Sequence, residues 1–297
     1  MSSSTSTSAP ALFDGRPVTE IVVPVDLGPH RQRGLNLAAR YGHRWQVPVQ
    51  ILHTRLPSET DAPGSLDAIV DAFRGYHPDL VVEGADITAE GVAAGLARVT
   101  SGRSLVILAS DEASRWLKSP STAEEIVQAS ESLILVCGPG CEDPPADTGV
   151  LVALDGSDRA EEAIAPARAV AEAHGTRLWL VTAVPRAVAA TVAAMRASGE
   201  PASESAYLRS LADRLESEGV DVRWEVVQDD DPVAGVIAAA SRLGVSMLVA
   251  TTHGETGVAR RLFGSVSMGL AQLASVPVLI VKSHLEPAAA LPGSPNP

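Results

Sequence analysis

Near the end of the chain an apolar run stops at His253-Gly254, nine residues pass, and Gly264-Ser265 opens a helix-like stretch leading into a second apolar run. Residues 250–282 read "ATTHGETGVARRLFGSVSMGLAQLASVPVLIVK". A loop that rises from a strand and ends at a helix N-terminus exposes main-chain N–H groups, with the positive end of the helix dipole behind them. Glycines at both ends let a charged ligand come close to the backbone. The Ser265 hydroxyl can donate to an oxyanion, and Ser267 lies two residues into the helix. Arg260 and Arg261, the chain's adjacent arginine pair, fall inside the same loop. The chemistry these residues suit is the holding of a phosphate chain. A glycine that ends a strand and a Gly-Ser that starts a helix would account for the same residues without any ligand.

Other chemistries lack their spacing. No Gly-Lys-Ser or Gly-Lys-Thr occurs, so the loop is not a P-loop. Neither apolar run ending at Asp26 or Asp155 leads into a Gly-x-Gly-x-x-Gly turn, which argues against a dinucleotide oxidoreductase. No nucleophile stands with a base and no carboxylate pair is poised for hydrolysis, so no catalytic residue is assigned. A nucleotide-hydrolysing or nucleotidyl-transferring enzyme on the same sheet stays open as an alternative. The histidines at 30, 43, 53, 77, 174, 253 and 284 do not pair with each other or with Cys at ligand spacing, and no metal site is expected. Cys137 and Cys141 match neither a redox pair nor a metal knuckle and read as a core thiol and a loop thiol. The acidic "QDDDP" from Gln228 reads as a helix N-terminus with dipole-favoured carboxylates, in preference to a cation site or a phosphorelay receiver pocket. Trp45, Trp116, Trp179 and Trp224 are too scattered to form a platform for bases.

The elements that must position the loop follow a repeated plan. "TEIVVPVDLG" (19–28) lines up with "TGVLVALDGS" (148–157), and "VPVQILHTR" (47–55) with "TRLWLVTAV" (176–184). "SLVILAS" (104–110) matches "VSMLVAT" (245–251), and "SLILVC" (132–137) matches "PVLIVK" (277–282). The runs are apolar on both faces and alternate with Ala-rich stretches of helical length, as parallel strands covered on both sides require. In the second copy strands are predicted near 149–155, 177–184, 221–227, 246–251 and 277–282, and helices over 158–174, 203–218, 231–243 and 265–274. Ser157 or Asp158 can cap the first of these helices, and Asp230 or Asp231 the third, ahead of Pro232. The fold class is α/β, with two tandem doubly wound open parallel five-stranded sheets of Rossmann-like type. Ligands of such sheets sit beyond the carboxyl ends of the strands, where the strand order switches.

Bulk properties agree. A chain of 297 residues, 45% hydrophobic and 20% charged, fits two globular domains. With only ten aromatic residues, the cores must be built from Val, Leu, Ile and Ala. A formal net charge of -13 argues against general affinity for nucleic acid, so a polyanionic ligand must be held locally. No apolar stretch approaches the roughly 18 residues that cross a bilayer, and "MSSSTSTSAP" lacks a signal-peptide layout. A cytoplasmic protein without membrane partners is expected.

The second copy resembles the universal stress protein family, whose ATP-binding members carry Gly, two residues, Gly, nine residues, then Gly followed by Ser or Thr. Gly254 and Gly264-Ser265 keep this spacing, "SMLVATTHG" and "SVPVLIVK" are similar to the family's fourth and fifth strands, and the likeness covers nearly all of 148–283. The first glycine of the pattern falls on Thr251, a β-branched residue that would crowd a ligand and resists positive φ. The resemblance implies an adenine nucleotide alpha hydrolase-like fold, with Asp155 meeting adenine and Ala183 packing near the base. It places Thr251, Gly254, Gly264, Ser265, Val266 and Ser267 around ribose and phosphates, with His253 ordering the loop. Without the resemblance, Asp155 reads as a helix-capping carboxylate. The implied cofactor is ATP, with Mg2+ as an accompanying ion, in a regulatory stress-response protein with at most weak hydrolysis.

The first copy keeps the plan but not the loop: Glu112 stands in the place of Gly254, and Pro120-Ser121 near that of Gly264-Ser265. A carboxylate repels phosphate and a proline deletes an N–H donor, so no nucleotide is expected there and Asp26 reads as a structural remnant. The expected division is a disordered leader (1–17), a degenerate domain (18–138), a linker (139–148), a nucleotide-motif domain (149–283) and a disordered tail (284–297). The two fifth strands can pair as an intrachain pseudo-dimer, a homodimer being a further option. A protein partner is expected without being specified. The alternative function is a non-binding scaffold in which the motif is a relic.

Overall fold

A computed structural model describes residues 9–12, 15–26, 32–58, 65–109, 125–126, 132–141, 147–186, 203–252 and 264–283. His253, Gly254, the arginine pair, Glu112, Pro120, Ser121, most of the leader and all of the tail lie outside the described residues. The first half runs β1 (Glu20–Pro24), α1 (Gln32–Trp45), β2 (Val49–Arg55), α2 (Ser65–Tyr76), β3 (Val82–Thr88), α3 (Val92–Val99), β4 (Ser104–Ala109) and β5 (Leu133–Cys137). The second runs β6 (Val150–Leu154), α4 (Asp158–Glu161), α5 (Ile164–His174), β7 (Leu178–Val184), α6 (Ser203–Ser217), β8 (Val222–Gln228), α7 (Pro232–Leu243), β9 (Met247–Thr251), α8 (Ser265–Leu273) and β10 (Val278–Val281).

Each half is a parallel sheet, and the two are joined. The strand order is β3-β2-β1-β4-β5-β10-β9-β6-β7-β8, so both halves share one doubly wound order and meet at β5 and β10. That junction is antiparallel, with Val278 opposite Val136, Leu279 opposite Leu135 and Ile280 opposite Ile134. Every residue of β5 and β10 is buried. Strands apolar on both faces do not stand as free sheet edges, and pairing them turns two five-stranded sheets into one of ten.

Side-chain alternation along the strands feeds two apolar layers. Ile21, Val23, Val150, Val152, Met247 and Val249 join the layer under α1, α2, α5 and α6, while Val22, Leu151, Leu248 and Ala250 join the one under α3, α7 and α8. Both layers contain residues from both halves.

The helix expected over 158–174 is split into α4 and α5. Pro166 is the cause. In an unbroken helix its ring would meet the carbonyl of Glu162 and leave it without a donor; restarting at Ile164 puts Pro166 in a first turn, where no N–H is needed. Ser157 caps α4, its side chain accepting from Ala160 N, and Asp231 caps α7, accepting from Val233 N and Ala234 N.

The sheet opens at the switch in strand order. Pairing between β6 and β9 covers only Val150–Val152 opposite Met247–Val249, whereas β6 stays paired to β7 through Leu154 and β9 to β10 through Thr251. Beyond Val152 the two strands part, and a crevice begins at their carboxyl ends. The first half parts likewise, β1 and β4 pairing only through Val22 and Val106.

Candidate functional site

On one side of the crevice is the N-terminus of α8. Gly264 precedes the helix with φ -65 and ψ 152, an extended conformation open to any residue, so glycine is not demanded here by its dihedrals. What it contributes is the missing side chain. Among the described residues no side chain caps α8, and its first internal hydrogen bond is Met268 N–H to Gly264 O at 3.1 Å. The N–H groups of Ser265, Val266 and Ser267 precede that bond. Gly264 N–H donates instead to Thr252 O, which closes the base of the intervening loop.

Ser265 is exposed and Val266 half-buried. Ser267 is 2% exposed and donates to Gly264 O at 3.1 Å, with Thr252 O at 3.5 Å. Its hydroxyl therefore fastens the loop base, and only its N–H faces the helix end. Helix α8 lies close against α7 because Gly269 is small: a Cβ there would stand 2.7 Å from Val233 Cγ2.

Thr251 ends β9 in strand pairing with Val281, and among the described residues only Gln46 combines a side chain with positive φ. The backbone strain expected at Thr251 does not arise. Alternation along β9 turns its side chain toward the layer under α5, away from α8, and it is 7% exposed. Neighbouring Thr252 accepts from Ser283 N at 3.3 Å, and Ser283 Oγ donates to Glu162 at 3.0 Å.

Across the crevice Asp155 follows β6 and is exposed. Its Oδ1 accepts from Ser157 N at 3.1 Å and Ser157 Oγ at 2.6 Å, while Ser157 Oγ accepts from Ala160 N at 3.2 Å. Asp155 is therefore not itself the cap read from sequence: Ser157 caps α4, and Asp155 orients Ser157. Tyr207 of α6 lies near this turn, its phenol pKa raised by burial and then by Glu161, with Asp155 and Asp158 adding to the effect; it stays protonated. Sequence reasoning missed Tyr207 because it arrives from another helix. Ala183 is half-buried near the end of β7, on the α7 side; a Cβ on Gly235 would lie 3.5 Å from its own.

The acidic triplet behaves as a helix start. Asp231 caps α7, Asp229 accepts from Asp231 N at 3.0 Å, and Asp230 from Arg186 N at 3.0 Å. Both cysteines are buried, the loop residue Cys141 included. Folding also gathers groups that are remote in sequence. His43 Nε2 lies 3.2 Å from His77 Nδ1, and Asp147 meets Arg40, Arg44 and His174. Among the described residues no helix is long and apolar enough to cross a membrane.

In each half a parallel sheet that opens where the strand order switches defines a doubly wound α/β protein, and comparison with known proteins gives its family. The universal stress protein family model matches residues 149–282. A relative from Thermus aquaticus, the universal stress protein in the QAH/OAS sulfhydrylase 3′ region, is 33% identical over 143 residues, 45% of this chain and 97% of its own length. The chain belongs to the universal stress protein family. Two solved structures match across both halves. A universal stress protein from Archaeoglobus fulgidus has TM-score 0.63 and 16% identity over 89% of this chain and 96% of its own. A functionally unknown protein from Pseudomonas aeruginosa PAO1 has TM-score 0.62 and 14% identity over 90% and 93%. At such identities these two share the fold and nothing finer.

Proposed function

We propose that the second half binds an adenine nucleotide, ATP with Mg2+ as an accompanying ion, and that binding is regulatory. The observation that supports this most is the first turn of α8, uncapped by any side chain among the described residues, with the N–H groups of Ser265, Val266 and Ser267 beside the parting of β6 and β9 and Asp155 on the far side. A helix end of this kind favours phosphate through oriented N–H groups and dipole together. Asp155 would read the base, Ala183 would pack beneath it, and His253 and Gly254 would complete the loop. Thr251 leaves this arrangement standing, since its side chain belongs to the other layer.

No nucleophile with an adjacent base belongs to this proposed set, so turnover of ATP is expected to be slow or absent. The first half is expected to leave nucleotide unbound, and the protein to work in the cytoplasm through a protein partner. The joined sheet favours a second reading, a scaffold in which β5 and β10 hold two halves together and the motif is a relic.

Gly264→Asp separates the two readings. Aspartate is a preferred N-cap and tolerates the extended backbone at this position, so the variant should fold at least as well as its parent. Its carboxylate would repel phosphate. With ATP at about 100 times its dissociation constant, the full chain should gain roughly 2.7 kcal/mol of stability and the variant almost none. Equal responses, or no response from the parent, would refute the nucleotide site and leave the scaffold.

A further inference from the structure

We propose that His43 and His77 form a binding site for a divalent transition-metal ion of the nitrogen-preferring class, such as Zn2+, Ni2+ or Cu2+. His43 Nε2 and His77 Nδ1 lie 3.2 Å apart, with ring centroids 5.2 Å apart and planes at 61°. Two nitrogens bound to one ion at about 2.0 to 2.1 Å, at octahedral to tetrahedral angles, stand roughly 2.9 to 3.4 Å from each other. The pair already has the spacing of a shared coordination sphere.

Both ligands sit on fixed backbone. His43 belongs to the last turn of α1, and its carbonyl accepts from Gln46 Nε2 at 2.7 Å. His77 donates its main-chain N–H to Phe73 O at 3.0 Å and Arg74 O at 3.2 Å, just past α2. The Phe73 ring packs 4.7 Å from its imidazole and limits rotation. An ion would therefore tie the end of α1 to the end of α2 with little reordering.

The proton inventory agrees with a metal. Imidazole binds metal through a neutral ring nitrogen. In the ion's absence the contact is a single N–H···N hydrogen bond; for an ion to bind, the donor ring shifts its proton to its other nitrogen, so that both facing nitrogens offer lone pairs to the cation. The net charge of -13 favours cations near the surface. Among the described residues no group of three or more His, Cys, Asp or Glu gathers as a metal site. Water would fill the remaining positions, as in an open, exchangeable site.

The pair lies just before β2 and β3 begin, at the amino edge of the first half, and four strands (β1, β4, β5 and β10) separate β2 from β9, which leads toward α8. It is independent of the nucleotide reading. Sequence spacing hides it, because 34 residues separate the ligands.

The test uses the full chain, freed of metal, titrated with Zn2+ by calorimetry and with Cu2+ by electron spin-echo spectroscopy. One ion per chain is expected, with two imidazoles coupled to Cu2+. His43→Gln and His77→Gln should each weaken Zn2+ binding by at least roughly tenfold, the lower bound seen for outer partners of metal sites. Each should also leave one imidazole on Cu2+, whereas His53→Gln should change neither readout. A parent spectrum without two coupled imidazoles would overturn the proposal, whether or not the variants fold. Zn2+ affinity unchanged in both folded variants would do the same.

Discussion

Asp155 holds the turn after β6 and, in the proposed site, also meets the nucleotide; two substitutions separate these roles. Ser157→Ala removes the cap of α4 and should cost about 1 kcal/mol, as N-cap losses do. Asp155→Ala removes the acceptor that orients Ser157 and should cost a similar amount, about 1 kcal/mol. Urea denaturation should show both losses. ATP titration should respond to Asp155→Ala alone; an Asp155→Ala protein that binds ATP as the parent does would assign this residue to the turn after β6 only. That Asp155 takes part in the helix start was legible because a short acceptor two residues before a serine, at the end of an apolar run, has few other uses. The location of Thr251 was not. Its type signalled crowding, but strand register decides which layer a side chain joins, and register is set by partners elsewhere in the chain. The same holds for His43 and His77, whose meeting depends on where α1 and α2 end.

At the scale of elements the turn after β5 constrains more than its sequence suggests. Gly138 lies so close to α8 that an added Cβ would fall against Ala271 O, far inside contact distance, with Gln272 O at 3.2 Å. Arg33 of α1 holds the same turn, donating to Gly138 O at 3.2 Å and Pro139 O at 3.3 Å. Gly138→Ala must push main chain against main chain. Overpacking of this kind typically costs about 1 to 3 kcal/mol. A urea midpoint within error of the parent's would show that α8 yields without resistance. "GPGC" reads in sequence as linker, since glycine and proline mark a turn without saying what packs on it. The strands were readable because unbroken apolar runs have few other folds available. The break between α4 and α5 was readable in principle from Pro166, where helical composition on both sides masked it.

The whole molecule is bound together by more than the β5–β10 seam. Asp147, in the segment between the halves, accepts from Arg40 of α1 at 3.2 Å, with Arg44 at 3.6 Å and His174 Nδ1 of α5 at 3.2 Å. Trp45 Nε1–H donates to His174 Nε2 at 3.1 Å. An indole can only donate, so Nε2 must accept and the ring's proton sits on Nδ1, facing Asp147. With apolar layers that cross the junction, these contacts predict one cooperative unfolding transition for both halves, seen as coincident near- and far-ultraviolet melts; two resolved transitions would contradict it.

The same carboxylate makes the assembly sensitive to acid. The His174 imidazole beside it, and then Arg40, hold Asp147 at about 2, against the opposing effect of burial. An unfolded aspartate titrates near 3.9, so between these values the unfolded chain binds the extra proton. The stabilisation is therefore complete above about pH 4 and is lost as pH falls toward 2; it amounts to on the order of 2 kcal/mol. The side chain of Asp147 is only 20% exposed, which limits screening by solvent. Asp147→Asn should be less stable than the parent at pH 7, and its unfolding free energy should fall less steeply between pH 4 and pH 2. Measuring both proteins by urea titration across that range cancels the contribution of the other carboxylates. Parallel acid limbs would mean that α1 and α5 are held together without this charge.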